Sequence, residues 1–195
     1  METTCGKLIL ASQSPRRIEL MKLITPDFLV CPSRFDENSL EEREPERLCA
    51  ALARGKAAAI QAAPEDWVIG CDTIVVREGR VFGKPGNPEE ARAMLRALSG
   101  GEHQVITGVC ILHGGREHAF QSCTRVFFYP LTDAQIEAYI QSGEPFDKAG
   151  GYGIQGRGGL FAERIEGDYY NVVGLPVARL YQILQQIRPV EFSLN

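Results

Sequence analysis

A mixed α/β sheet with helices on its faces is the fold class this sequence predicts, and three observations predict it. Short apolar runs of strand length alternate with segments of helical periodicity along the whole chain. The helical segments carry start signals, Ser14 with Pro15 first among them. No repeat, low-complexity stretch or linker interrupts the alternation, and 195 residues suit one domain, 1–195, with a real core.

The elements follow in order. Leu8 to Ala11 reads as a short buried strand. Ser14 is a good N-cap and Pro15 suits the first helical position, so a helix is expected from Pro15 to Leu23. Phe28 to Cys31 looks like a second strand, Pro45 to Ala62 a long helix, and Trp67 to Val76 an apolar strand carrying Asp72. Pro88 to Leu98 is a helix ended by Ser99, Gly100 and Gly101. Gln104 to Leu112 and Ala119 to Tyr129 read as paired strands joined near Gly114 and Gly115. Thr132 caps a helix that runs to Gln141, a glycine-rich loop follows, and Leu160 to Ile165 is a short strand. Pro176 to Ile187 is the last helix.

Composition excludes several function classes. A net charge of −4 offers no basic excess for a long nucleic acid. No apolar run approaches membrane length, and Met1 to Lys7 is too polar for a signal peptide, so a cytoplasmic protein is expected. The six cysteines include no CxxC pair and the three histidines no metal spacing. The thiols read as reduced and mostly buried.

Arg16 and Arg17 fall at the second and third positions of the first helix. Cations there are disfavoured by roughly 0.3–1 kcal/mol each, because a helix N-terminus is itself partly positive. An anion held at that end turns the penalty into a binding device. Asp72 breaks the run "WVIGCDTIVV". It is either a strand-end residue in an exposed turn or a carboxylate at a ligand crevice, where burial demands a cationic partner. Lys56 shares a helix face with Leu48, Leu52 and Ala59. That lysine either snorkels or points into a cleft beside Asp72. Lys84 is a loop cation. Gly151 to Gly156, "GYGIQG", matches the dinucleotide fingerprint only literally, since no strand precedes it and no helix follows. The glycines from Ala149 to Gly159 form either a flexible loop or a close backbone approach to a ligand. Four cations with one carboxylate point to a small, phosphate-bearing ligand with a divalent ion.

The segments "LILASQSPRRIEL", "VIGCDTIVV", "GKPGNPEEARAMLRALSGGEHQVITGV" and "GEPFDKAGGYGIQGRGGLFAERIEGDYYNVVGLPVARL" resemble the Maf family of nucleoside triphosphate pyrophosphatases, from about Leu8 to Leu180. The resemblance implies hydrolysis between the α- and β-phosphates, a divalent cation (Mg²⁺ or Mn²⁺), and the two-lobed, elongated mixed sheet of the Maf and inosine triphosphatase group with a cleft. A homodimer is implied by the resemblance alone. Asp72 matches the family's proton acceptor, and Arg16, Thr73 and Gln155 match positions tied to base selection. Ser12, Arg16, Arg17, Lys56 and Lys84 match the phosphate-binding set; Asp36, Glu37, Asp147 and Lys148 fall in its acidic and Asp-Lys motifs, giving Asp72, Asp36, Glu37 and Asp147 as candidate metal ligands. The forms "SPRR", "DT" and "GIQG" are similar to the subgroup acting on dTTP and UTP; the 7-methyl-GTP subgroup carries Trp, Gln and Glu there. Cys71 stands where Ala or Ser is usual. Two other readings accompany the enzyme: a nucleotide sensor using the same pocket, and an inhibitor of septum formation acting through its surface.

Overall fold

The structure, a computed structural model, describes residues 6–188; Cys5 and the beginning of the polar N-terminal segment lie outside the described residues. β1 (Leu8–Leu10) is buried along its length. The chain then turns at Ser12, whose hydroxyl accepts from Ser14 N at 3.2 Å. Ser14 caps α1 (Pro15–Lys22), as its pairing with proline predicts. β2 (Leu29–Val30) lies parallel to β1, with Ile9 opposite Leu29.

α2 (Pro45–Ala58) is capped by the Glu44 carboxylate, which accepts from Arg47 N at 3.1 Å. The helix ends at Ala58, four residues short of the end expected at Ala62. Two local forces end it early. Ile60 packs against the neighbouring apolar cluster. Pro64 disfavours helix at Ala63, whose N–H instead bonds Asp66 Oδ2 at 3.0 Å.

β3 (Trp67–Arg77) runs parallel to β1, from Leu8 opposite Trp67 to Leu10 opposite Ile69. It folds back into β4 (Arg80–Phe82), a strand without a clear signal in the sequence. The turn uses Glu78 and Gly79, both at positive φ (51° and 74°). That is the backbone of a tight hairpin, but Glu lacks the usual Asn or Asp identity.

α3 (Pro88–Leu98) is capped by Asn87 and stops at Ser99 as predicted. β5 (Glu102–His113) and β6 (Arg116–Phe128) form the long pair expected around Gly114 and Gly115, both at positive φ. α4 (Asp133–Gln141) carries a complete capping box between Thr132 and Gln135. β7 (Ala162–Glu166) pairs antiparallel with β6 and begins two residues after the expected Leu160, which is 81% exposed within a 3₁₀ turn. α5 (Tyr169–Val173) and α6 (Val177–Ile187) complete the described chain. The strands form one mixed sheet in the order β2-β1-β3-β5-β6-β7, with β4 beside β3.

The described residues divide into two compact units. One comprises 6–72, 107–121 and 174–188, with an apolar cluster built on Ile9, Ala11, Ala53, Ala57, Val68 and Cys110. The other comprises Thr73–Ile106 and Ser122–Val173, and its core is rich in rings: Phe82, Phe128, Tyr139, Tyr152 and Phe161. Cys49, Cys71 and Cys110 are buried thiols, whereas Cys31 and Cys123 are exposed. No described helix is long and apolar enough to cross a membrane.

Candidate functional site

Asp72 is the sixth of eleven residues in β3, so it is a mid-strand residue and not a strand-end one. The β1 pairing ends opposite Ile69, three residues earlier, and beyond that point β3 no longer has β1 at its side. The Asp72 side chain is 11% exposed. A carboxylate so buried costs several kcal/mol in rough terms unless a cation answers it.

Lys56 supplies that cation. Its ammonium donates to Asp72 Oδ1 and also pairs with Glu37 Oε1 at 2.9 Å. Of the two readings of Lys56, a cation directed at Asp72 is the one the structure shows. Burial works against the charged ammonium, but the charge of Asp72 and the hydrogen bonds to Asp72 and Glu37 outweigh it, so Lys56 titrates above its ordinary value.

The reach of Lys56 depends on how closely α2 approaches the sheet. At Gly70 of β3, a Cβ would lie 2.2 Å from the Ala53 carbonyl oxygen and 2.6 Å from Ala57 N, so only glycine admits the helix at this depth. On β5, Gly108 N donates to Cys49 Sγ at 3.1 Å, while the Cys49 thiol donates to the Asp72 carbonyl at 3.4 Å. Burial pushes the Cys49 thiol well above its usual range, which keeps it a donor. The Phe35 ring lies against Gly55 of α2, leading into the 3₁₀ turn Glu37–Ser39 that delivers Glu37 to Lys56.

The two arginines of α1 are both half-buried. Arg17 N lies 3.5 Å from the capping hydroxyl of Ser14, and Arg17 Nε donates to the Gly174 carbonyl at 2.8 Å. Cys71 Sγ donates to the same carbonyl at 3.3 Å. Arg17 and Cys71 thus share one carbonyl, which brings Arg17 to the residue that precedes Asp72. Gly174 and Cys49 were missed as site residues. For Cys49 a signal existed, since it precedes Lys56 by two helical turns on one face. Gly174 acts through its backbone, which residue type does not announce.

The remaining candidates have varied settings. Ser12 is buried and shapes the turn after β1. Asp36 accepts from Asn38 N at 3.1 Å and so caps its own 3₁₀ turn. In the second unit, Thr73 is half-buried and Lys84 is exposed between β4 and α3. Asp147 pairs with Lys148 at 2.5 Å. Gln155 is exposed. The glycine-rich segment holds two 3₁₀ turns, Ala149–Gly151 and Arg157–Phe161, and Gln155 lies in the turn between them.

Among the described residues no three His, Cys, Asp or Glu side chains form a metal cage. Asp72 and Glu37 nevertheless converge on one cationic position, the Lys56 ammonium. Two carboxylates are hard oxygen donors of the kind that hold Mg²⁺ or Mn²⁺ together with substrate phosphates. Two such carboxylates have the donor chemistry for a metal bound jointly with a triphosphate, although the position they share is filled here by the Lys56 ammonium.

A family model described as Maf-like protein matches residues 7–187. The chain belongs to the Maf family. The dTTP/UTP pyrophosphatase of Geobacillus sp. (strain WCH70) is 50% identical over 182 residues, covering 93% of this chain and 98% of its own. The protein of the same name from Carboxydothermus hydrogenoformans is 51% identical over 183 residues, covering 92% and 98%. Among solved structures, the Staphylococcus aureus Ham1 protein is similar over 63% of this chain and 72% of its own, at 17% identity and a TM-score of 0.40. The Maf match takes in the Lys56–Asp72 pair, both arginines of α1 and the glycine-rich turns around Gln155.

Proposed function

We propose that this Maf protein is a nucleoside triphosphate pyrophosphatase that hydrolyses dTTP and UTP to the monophosphate and pyrophosphate. The observation that carries the reading is identity of about half the residues, over nearly the whole chain, with relatives named dTTP/UTP pyrophosphatase. The cluster around Asp72 supplies the chemistry. Water attacks the α-phosphorus, the bond from that phosphorus to the oxygen bridging it to the β-phosphorus breaks, and pyrophosphate leaves. Asp72 takes the proton of the attacking water at Oδ2, because Oδ1 is engaged by Lys56. Lys56 holds that carboxylate in one orientation, and Arg17, tethered to Gly174, faces the phosphates. Arg16 and Lys84 add charge to the phosphate-binding set, and Ser12 holds the turn that leads into α1. Glu37 is the residue that would hold a divalent cation, Asp72 being committed to Lys56 and to the proton; when bound, the ion would neutralise phosphate charge and acidify water. Gln155, with Thr73 and Arg16, reads the base.

The test is pyrophosphate release over dTTP, UTP, CTP, 7-methyl-GTP and the purine triphosphates, with and without chelator. Preference for dTTP and UTP within about a hundredfold of each other is expected, since the 5-methyl group that separates the bases is worth only about 1–3 kcal/mol and no residue of the set is assigned to the 2′-hydroxyl that separates the sugars. Chelation should abolish turnover and Mg²⁺ or Mn²⁺ restore it. Preference for 7-methyl-GTP would overturn the substrate assignment, and full turnover in chelator would remove the metal.

A further inference from the structure

The segment 153–158 is bound at both ends by a pair of side chains that no part of the proposed chemistry uses. Tyr139, on α4, accepts from Gly153 N through its hydroxyl at 3.0 Å. The same hydroxyl donates to Glu144 Oε1 at 2.9 Å. Glu144 in turn accepts from Arg157 N at 3.1 Å through Oε2 and from Gly158 N at 3.4 Å through Oε1. One phenol and one carboxylate therefore gather the backbone N–H groups on both sides of Gln155.

Packing points the same way. A Cβ at Gly156 would lie 2.2 Å from Glu144 Oε1, and Glu144 cannot swing aside without releasing its bonds. Lys148 closes the base of the arrangement, donating from Nζ to the Glu144 carbonyl at 2.8 Å. Tyr139 is itself only 3% exposed, and its ring packs edge-on against Phe161 at a centroid distance of 5.0 Å. The clamp is thus anchored in the aromatic core of its unit, while the Gln155 side chain is left exposed.

We infer that Glu144 and Tyr139 are specificity-positioning residues: they fix the backbone that carries Gln155, so that its amide meets the base edge in one orientation. This rests on the base-reading role proposed for Gln155. The amide pairs with a pyrimidine that offers an N3–H beside a carbonyl, and cytosine reverses that pattern. Such discrimination needs the amide held in place, and the carboxylate–phenol pair holds it.

The experiment measures kcat/KM for dTTP and for CTP in the wild type and in Tyr139→Phe, Glu144→Ala, Glu144→Gln and Gln155→Ala. Their ratio is insensitive to a reduced folded fraction, which scales both substrates alike. Tyr139→Phe and Glu144→Ala should each lower the dTTP-to-CTP ratio by about 3- to 10-fold, the range expected for one or two lost hydrogen bonds. Most of the loss should fall on the KM for dTTP. Glu144→Gln keeps an acceptor oxygen for Tyr139 and Gly158 and should recover part of the ratio. If Gln155→Ala lowers the ratio and the clamp variants leave it at the wild-type value, the clamp inference is overturned and base reading survives. If the clamp variants lower it while Gln155→Ala does not, the clamp stands and Gln155 is not the reader. If all four variants keep the ratio, both ideas fall.

Discussion

Asp72 and Lys56 are unequal partners, and the inequality is measurable. Asp72 is buried with its carboxylate on Lys56, whereas Lys56 also holds Glu37, whose side chain is 55% exposed. Lys56→Met would strand a buried carboxylate, a change that costs about 3–5 kcal/mol in comparable pairs. Asp72→Asn leaves the ammonium with Glu37 and water and should cost clearly less. Urea unfolding of both variants is the check; equal stabilities would mean that Lys56 is not what makes the buried charge tolerable. Turnover should show the opposite severity for Asp72. The amide of Asp72→Asn cannot accept the proton, so a loss of at least about a hundredfold is expected, roughly 2.7 kcal/mol of barrier. Wild-type turnover in that folded variant would remove Asp72 from the mechanism. Helical arithmetic put Lys56 on the core-facing side of its helix but left snorkelling open, and the bond to Asp72 decides between the two. Placing Glu37 there required a contact between Phe35 and Gly55 that no local pattern encodes.

At the level of elements, caps were legible and terminations less so. Ser14 and Thr132 each start a helix where their side chains predict, because an N-cap is a local bond to a backbone amide three residues on. The end of α2 was misjudged because alanine keeps favouring helix, while Ile60 and the Asp66 turn withdraw the chain through contacts outside the helix. β4 escaped notice for a related reason, since its turn takes left-handed backbone at Glu78. The seating of α2 on the sheet yields a prediction of its own. Gly70→Ala would push a methyl group into Ala53 and Ala57, so α2 must lift. Overpacking of this kind costs about 1–3 kcal/mol. A lift of even a few tenths of an ångström also lengthens the Lys56–Asp72 bond, so kcat should fall further than the lost folded fraction explains. A variant with lowered melting temperature and unchanged kcat per folded molecule would show that the helix can seat differently without disturbing the pair.

The whole molecule carries a titration that the candidate site does not use. His103, on β5, is 1% exposed within the aromatic core of the second unit, edge-on to Phe128 and Tyr152. Its Nε2 meets the Tyr152 hydroxyl at 2.8 Å, and among the described residues Nδ1 has no hydrogen-bond partner. Protonation would create a second N–H donor with nothing to receive it. Burial first, and the charge of Arg77 second, accordingly push its pKa down to about 4. In the unfolded chain the same imidazole titrates near 6.5. Between those values the unfolded chain binds a proton that the folded one refuses, so the folded state is stabilised as pH rises through the interval. The contribution is fully present above about pH 6.5 and is lost as pH falls towards 4, below which the folded form takes up the proton as well. A difference of about 2.5 units corresponds to about 3 kcal/mol. His103→Gln keeps a polar atom for Tyr152 and removes the titration. Carboxylates titrate over part of the same range, so the comparison between the two proteins carries the information. Urea unfolding from pH 4 to 7 should show the wild type losing more stability than His103→Gln on the acid side, with parallel curves above pH 7. Parallel curves over the entire range would mean that the folded protein admits the proton at His103 as readily as water does.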